Sequence, residues 1–368
     1  MKIANISYSG FGGLESVIFS LISADLKKNN DWYIAFIGEQ PLDERYVARC
    51  KAYNVTYSMH RSTPGFPFLA WLNMASWLKK MKPDIVICHT INPILICKWY
   101  AKLNKATLIA VEHASPQTKS RSEWVFSYLS MFLADKIILL TKEYKAEFKK
   151  SLGKFFFSHK VKLIANGIDL KVFYPSKLNR SLNGLIKIGM AARFSFSKRQ
   201  DILILVLEQL SILRPDLFFE LKLAGNGNEL ECVKKLATSH SNLNLVSFDG
   251  LLSEEEVSSW LRELDIYVHA TDAETLSTSL LQAMASSLPI VSSDISGVRN
   301  LLGDSGEYGL CVPNDPKIFA KTIIYLLENP TLSKDLGRRA RKFTEEKYGN
   351  EDMLQNYLKV IEECRTKS

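Results

Sequence analysis

Several features are missing from this 368-residue sequence, and each absence narrows what the chain can be. Its six cysteines (Cys50, Cys88, Cys97, Cys232, Cys311 and Cys364) form no C-x-x-C pair. That argues against a disulfide framework or a zinc site, and for reduced thiols in a cytoplasmic protein. No run of about 18 apolar residues occurs, so no transmembrane helix is expected. The opening MKIANISYSGFGG lacks the continuous apolar segment of a signal peptide. No D-x-D is present, hence no obvious carboxylate pair for Mg²⁺ or Mn²⁺. No metal and no other cofactor is expected. Repeats and low-complexity segments are lacking as well. Basic residues do not interleave with aromatics in the manner of a nucleic-acid module, so nucleic acid is not an expected partner.

What is present is an ordinary globular composition, 46% hydrophobic and 23% charged, on a chain long enough for two or three domains. The net charge of +8 is unevenly placed. Residues 1–175 carry 24 Lys and Arg against 13 Asp and Glu, a net +11, whereas residues 176–368 carry 23 against 26, a net −3. A basic half suits an anionic surface such as membrane lipid, although solubility alone also accounts for it.

Strand-like alternation at Lys2–Ser9 runs into Gly10, Gly12 and Gly13 and a helix at Leu14–Lys28, the opening of a parallel α/β sheet. The SGFGG turn matches neither a dinucleotide fingerprint nor a Walker loop. Further strands are expected at Trp32–Gly38, Asn54–Tyr57, Asp84–Cys88, Thr107–Val111, Lys136–Leu140 and Val161–Ile164. Helices are expected at Phe66–Met81, Glu123–Ala134 and Lys142–Leu152. The aromatic-rich Phe66–Met81 segment either packs on the sheet, the commoner case, or dips into a membrane interface. Asp169–Ser181 reads as a linker. Beyond it, strands at Leu185–Met190, Phe218–Ala224, Val246–Phe248, Ile266–His269 and Pro289–Ser292 alternate with helices at Asp201–Leu213 and Ser253–Leu264. Three closing helices follow at Pro316–Glu328, Ser333–Lys347 and Asp352–Glu363. The pattern predicts two doubly wound α/β domains in tandem with a cleft between them. Their bounds are 1–175 and 176–349, and the last helix, about 350–368, packs back on the first. His89 and His113 follow expected strands, where ligands bind in such sheets, while His60, His159 and His240 are expected at the surface.

The stretch AETLSTSLLQAM, Ala273–Met284, organises the second half. Glu274 comes first, then hydroxyl residues suited to a helix N-terminus, then an apolar helix over Thr278–Ser287 that stops before Pro289. Such a helix start offers N–H groups to an anion, although an ordinary capped helix has the same pattern. Gly12, Gly13, His113, Arg193, Lys198, Glu274 and Gln282 are the polar or small residues at strand ends and helix starts. Arg193 and Lys198, two cations five residues apart, suit a diphosphate.

In order along the chain come SGFGGLESVIFSL, DIVICHT, VEH, KVKLIANGIDLKVFYP, GMAARFSFSKRQD, LAGNGNE, VSFDGLLSEEEV, DIYVHATDAETLSTSLLQAMASSLPIVSSDISGV and GLCVPNDP. With these nine segments the chain resembles the retaining glycosyltransferases of family 4, which have the GT-B arrangement of two facing Rossmann-like domains. The resemblance implies that Arg193 and Lys198 bind the donor diphosphate and that Glu274 holds hydroxyls of the donor sugar. Gln282 stands where a glutamate grips the ribose. Leu276, Ser277 and Thr278 offer backbone to phosphate and sugar, and Gly225 and Leu251 lie near the nucleobase. His113 lies near the reacting sugar, with Glu274 its catalytic companion, and Gly12 and Gly13 let the first loop approach the donor and acceptor. The family attacks from the face the leaving group departs, so no carboxylate nucleophile is expected, in keeping with the lack of a glycosidase-type pair. Departures are Gln282, Ala270-Thr271 for a usual Pro-Ser, Ser287 for a usual glycine and Asn300 for a frequent glutamate.

The implied activity is metal-independent sugar transfer from a nucleotide donor, UDP-linked, to a cell-surface polysaccharide or lipid-linked oligosaccharide. Peripheral contact between the basic domain and the cytoplasmic face of an anionic membrane would accompany it. A non-catalytic protein that binds a nucleotide sugar or a partner transferase, and a nucleotide-sugar epimerase, remain alternatives.

Overall fold

Uninterrupted apolar runs mark the central strands of both halves. Segments such as IVIC (Ile85–Cys88), KIIL (Lys136–Leu139) and IYVH (Ile266–His269) are buried at every position. That is the signature of parallel strands covered on both faces, since a half-solvated strand would alternate. The computed structural model describes residues 1–10, 13–25, 29–62, 67–114, 116, 119–176, 184–240 and 245–366, the side chains of 13–15 excepted.

The chain divides into two units, Met1–Gly167 with Asn350–Ser368, and Ile168–Gly349. The first contains β1 (Lys2–Tyr8), α1 (Gly13–Ala24), β2 (Asp31–Gly38), α2 (Glu44–Ala52), β3 (Thr56–Arg61), α3 (Phe68–Met81) and β4 (Ile85–Cys88). It continues with α4 (Ile94–Asn104), β5 (Thr107–Glu112), α5 (Arg121–Leu133), β6 (Lys136–Leu139), α6 (Lys142–Leu152) and β7 (Val161–Leu163). The strands form one parallel sheet in the order β3-β2-β1-β4-β5-β6-β7.

The second unit contains β8 (Leu185–Ala191), α7 (Gln200–Leu213), β9 (Phe218–Ala224), α8 (Leu230–Ser239), β10 (Val246–Gly250), α9 (Glu254–Leu261) and β11 (Ile266–His269). After these come α10 (Thr278–Ala285), β12 (Ile290–Ser293), α11 (Ser296–Leu302), β13 (Leu310–Val312), α12 (Pro316–Glu328) and α13 (Pro330–Lys347). Its parallel sheet runs β10-β9-β8-β11-β12-β13. The last helix, α14 (Asn350–Arg365), returns to the first unit. There the Asn350 amide donates to Ser20 O and Ser23 Oγ, and Lys162 Nζ reaches Glu363 at 2.7 Å. No helix among the described residues is long and apolar enough to cross a membrane.

Several expectations need correction. The described part of the expected linker Asp169–Ser181 is packed structure, and residues 177–181 of it lie outside the described residues. The Ile168 N–H donates to Tyr348 O at 2.7 Å, Phe173 is fully buried, and Ser258 Oγ donates to Val172 O at 2.6 Å. These bonds bring the unit boundary to Gly167–Ile168, ahead of the expected 175. His60 is buried rather than superficial, because α3 covers β3; its Nε2 lies 2.7 Å from Ser58 Oγ, and burial pushes its pKa down to about 4. β3 starts later than expected, since Asn54 sits in a left-handed turn at φ 54°. α1 stops at Ala24, beyond which the Asp25 carboxylate accepts from the Asn29 and Asn30 amides and the Trp32 indole. Helices α2, α4, α8 and α11 and the edge strand β13 fall in stretches to which the sequence pattern assigns nothing.

α10 ends at Ala285, two residues before the expected Ser287, which has a left-handed φ of 57°. α13 packs directly on that turn: a Cβ on Gly337 would lie 2.2 Å from Ser287 O. Left-handed backbone costs a non-glycine residue about 1–2 kcal/mol, partly offset by the extra unfolded-state freedom of glycine. Ser287→Gly should therefore raise stability by up to about 1 kcal/mol, or about 2–4 °C in Tm. Gly337→Ala should lower it by about 1–3 kcal/mol. Thermal and urea denaturation check both; unchanged midpoints would show that the turn is neither strained nor tightly packed.

Candidate functional site

In the second unit the strand order reverses between β8 and β11, and the loops that leave the carboxyl ends of these strands meet there. They are tied by backbone. Lys198 and Thr271 form an isolated antiparallel bridge, the Arg199 N–H donates to Ala270 O at 3.0 Å, and the Asp272 N–H donates to Ser197 O at 2.9 Å. The Thr271 hydroxyl adds a bond to Ser197 O at 3.0 Å. This zipper carries Lys198 Nζ onto Glu274 Oε1. The same oxygen accepts from His269 Nε2 at 2.8 Å, the ring standing at the end of β11 with no solvent exposure.

The electrostatics follow from that geometry. Burial alone would raise the Glu274 carboxyl, but the Lys198 charge and the bonds from His269 and Lys198 outweigh it and hold the pKa down to about 2. Burial lowers the His269 pKa, against the upward pull of Glu274. The ring is thus neutral, with Nε2–H as donor, and its Nδ1 is buried without a partner among the described residues.

Next to this cluster α10 begins. Ser277 caps it, its Oγ accepting the Leu280 N–H at 3.3 Å, and lies 3.5 Å from His269 Nε2. Leu276 is buried before the cap, and Thr278 is the half-buried first residue of the helix. α11 comes so close that a Cβ on Gly297 would stand 2.1 Å from Glu274 O. Arg193 is exposed on the loop that carries Lys198, and its carbonyl accepts from Gln200 Nε2 at 3.2 Å. Gly225 has a φ of 136° and almost touches that loop, an added Cβ falling 2.0 Å from Ala192 O. Its N–H donates to Gly250 O at 2.7 Å, which sets Gly225 beside Leu251. Gln282 is buried in α10 and makes none of the bonds of the Lys198–Glu274–His269 cluster.

Thus the structure joins Lys198, Glu274 and the start of α10, and brings Gly225 and Leu251 to the ends of neighbouring strands. It adds His269 and Gly297, which sequence reasoning passed over. A signal for His269 exists: a lone polar residue closing the buried run IYVH, five residues before Glu274.

In the first unit Gly12 lies outside the described residues, and Gly13 is the first residue of α1. His113, just past β5, stands at the end of a chain of hydrogen bonds. Its Nε2 lies 3.1 Å from His89 Nδ1, and His89 Nε2 lies 3.1 Å from Asn5 Oδ1. With the Asn5 oxygen as acceptor, His89 donates from Nε2, so His113 must donate to His89 Nδ1 and keeps a lone pair on its own Nδ1. Burial pushes the His113 pKa down to about 4. Six residues beyond His113, Lys119 Nζ donates to Glu112 at 2.5 Å and Ser127 Oγ at 2.7 Å, with the Trp124 ring centroid 4.9 Å away. Among the described residues no three His, Cys, Asp or Glu side chains gather in a metal-holding group.

Because Glu274 is held below its ordinary value of 4.5, the stabilisation it contributes is complete above that value and is lost as pH falls toward about 2. The difference amounts to roughly 3 kcal/mol at about 1.4 kcal/mol per pH unit. Urea unfolding at a series of acid pH values should show this loss in the native protein and a flatter profile in Glu274→Gln; parallel profiles would show that the carboxylate is not paired in the folded state.

Two family models match successive parts of the chain. The one described as Glycosyltransferase Family 4 matches residues 11–172, and Glycosyl transferases group 1 matches residues 178–343. An uncharacterised glycosyltransferase of Methanocaldococcus jannaschii is 27% identical over 98% of both chains. The N-acetyl-alpha-D-glucosaminyl L-malate synthase of Bacillus anthracis is 22% identical over 77% of this chain and 76% of its own. Among solved structures, Anabaena HepE in complex with UDP and glucose superposes with a TM-score of 0.82 at 17% identity, covering 98% of this chain and 99% of its own. Sucrose-phosphate synthase from Thermosynechococcus elongatus gives 0.81 at 17% identity over 100% of both chains. At such identities the structures speak for fold alone, two Rossmann-like parallel-sheet domains of the GT-B class. The chain belongs to the group 1, family 4 glycosyltransferases.

Proposed function

We propose that the protein transfers a sugar, with retention of configuration and without a metal ion, from a UDP-linked donor to a cell-surface polysaccharide or lipid-linked oligosaccharide. The observation that carries this reading is the Lys198–Glu274 pair at the switch point of the second sheet, beside the N-terminus of α10. As the bond from sugar to phosphate breaks, its electron pair stays with the departing diphosphate. Lys198, Arg193 and the N–H groups that start α10 can take up that charge. The acceptor hydroxyl adds to the sugar carbon from the side the diphosphate leaves, and its proton passes to the departing phosphate oxygen. Glu274, ionised, accepts hydrogen bonds from donor-sugar hydroxyls while Lys198 turns to the phosphate. His113 serves the sugar, Gln282 the ribose, Gly225 and Leu251 the base, and Gly12 and Gly13 the approach of the first loop.

UDP is favoured by the structural relatives, since HepE is recorded with UDP and with UDP-glucose. The net +11 of residues 1–175 supports an acceptor at the cytoplasmic face of an anionic membrane. A second reading rests on Gln282, which offers the ribose a neutral hydrogen bond in place of a charge-assisted one, roughly half as strong. It makes the protein a binder of nucleotide sugar without turnover.

Transfer and donor hydrolysis by the purified protein across a panel of UDP-sugars decide between the two. Lys198→Ala should lower the rate by about 10²–10³, the usual loss on removing one donor to a developing charge, and Glu274→Ala, which removes the acceptor of donor-sugar hydroxyls, should lower it as well, with chelators leaving the native rate intact. Unchanged rates in both variants would refute the site. Tight UDP binding with no turnover would favour the second reading, and release of an epimerised free sugar would replace both.

A further inference from the structure

Asn5 of β1, His89 after β4 and His113 after β5 stand on three strands that are neighbours in the first sheet. Asn5 has no solvent exposure, His89 is 3% exposed and His113 is half-buried. The two bonds that join them are each 3.1 Å long, and the imidazole rings stack at 25° with centroids 5.4 Å apart.

Packing alone gives no reason for these residues. Asn5 lies on β1 between Ala4 and Ile6, both fully buried, and its Nδ2 is buried with no partner among the described residues. A buried polar group left unpaired is destabilising, whereas replacing both members of a buried pair by apolar groups of similar shape is close to neutral. A leucine in place of Asn5 and a phenylalanine in place of His89 would fill the core without an orphaned amide. The polar pair points to a role beyond packing.

The chain of bonds also has a direction. A neutral imidazole carries one proton, on either ring nitrogen, and the bond made by one nitrogen decides the state of the other. Asn5 Oδ1 can only accept, so His89 carries its proton on Nε2 and offers Nδ1 as an acceptor. His113 then carries its proton on Nε2 and keeps Nδ1 bare. Were the Asn5 amide reversed, each bond would reverse, and His113 would present an N–H. One buried oxygen thus decides, two bonds away, whether His113 accepts a hydrogen bond or donates one.

We propose that Asn5 and His89 are positioning residues that hold His113 in one ring orientation with Nδ1 bare, so that it accepts from a hydroxyl of the donor sugar. The part given to the sugar rests on the reaction proposed above; the placement of the protons does not.

Nitrogen-15 NMR of the histidine-labelled full chain tests that placement, with His89→Gln and His113→Gln assigning the signals. At neutral pH the native protein should show both rings neutral and protonated at Nε2. Asn5→Leu should give a mixture of tautomers at His113. Asn5→Leu with His89→Phe should keep the native melting temperature, because both partners of the buried bond become apolar. The rate is measured on whichever of UDP-glucose, UDP-galactose and UDP-N-acetylglucosamine the native protein turns over fastest. There the double variant's kcat should fall about tenfold or more, since misplacing a group by about 1 Å can cost about 10²-fold. Its affinity for UDP should stay native, because these residues are given no nucleotide contact. A native His113 protonated at Nδ1, or in mixed tautomers, overturns the proposal. So does a native kcat in the folded double variant, or a lowered melting temperature with kcat per folded molecule intact, which would make the pair structural. If neither variant folds, the native spectrum still decides. No turnover of any donor, or a native rate in His113→Ala, overturns the proposed reaction instead, while the spectrum continues to judge the proton placement.

Discussion

A carboxylate stays ionised away from water only when a cation is held against it, and the second unit is arranged around meeting that condition at Glu274. The cation does not come from a neighbouring residue in sequence. Lys198 is 76 positions away and arrives because the loops after β8 and β11 are zipped by backbone bonds. The fold therefore precedes the charge pair: the sheet order sets the two loops together, the loops set Lys198 on Glu274, and that contact keeps the carboxylate charged. Loss of either partner strands the other in a partly dry site, the situation that costs about 3–5 kcal/mol when a buried pair is broken. His269 completes the arrangement as a neutral donor, which adds a hydrogen bond without adding a second charge to desolvate.

That dependence on long-range placement explains what could be read from the residues. The strands were legible because fully buried parallel strands write themselves as runs such as IVIC and KIIL, and the helix starts because Ser253 with Glu256 and Ser277 with its following turn are caps in sequence before they are caps in space. Glu274 and Lys198 were legible as members of an ordered motif set, but their contact was not, since nothing local relates a loop after one strand to a loop after another. His269 was hidden by its position inside a strand, where a polar residue reads as an irregularity. Gly297 reads as one glycine in a Ser-rich turn until the Glu274 carbonyl is placed 2.1 Å from where its Cβ would be. His60 misled because polar character is a poor guide to exposure when an aromatic-rich helix lies over the strand; its ring meets Trp77 edge-on at 6.1 Å.

The first unit solves a similar problem with a different pair. Glu112 and Lys119 are both shut away from solvent, and Lys119 is enclosed by Trp124, Phe148 and Tyr144, whose ring faces favour a cation. Seven residues apart, the two lie on either side of His113 in the chain. This cation is shut away from solvent, whereas Lys79, Lys80 and Lys102 of the same unit are exposed. Burial rather than residue type separates the two kinds of lysine.

The same reasoning assigns His113 its part. A ring held down to about 4 is neutral at physiological pH, so it adds no positive charge. Its Nε2 proton is committed to His89, which is committed in turn to Asn5, and this leaves only the Nδ1 lone pair to offer. A neutral acceptor suits a sugar hydroxyl and is of no use to a diphosphate. The cationic work of the proposed reaction therefore falls on Lys198 and Arg193 of the second unit. Under that proposal the first unit would supply a group matched to an uncharged sugar, and the second the cations that meet the diphosphate.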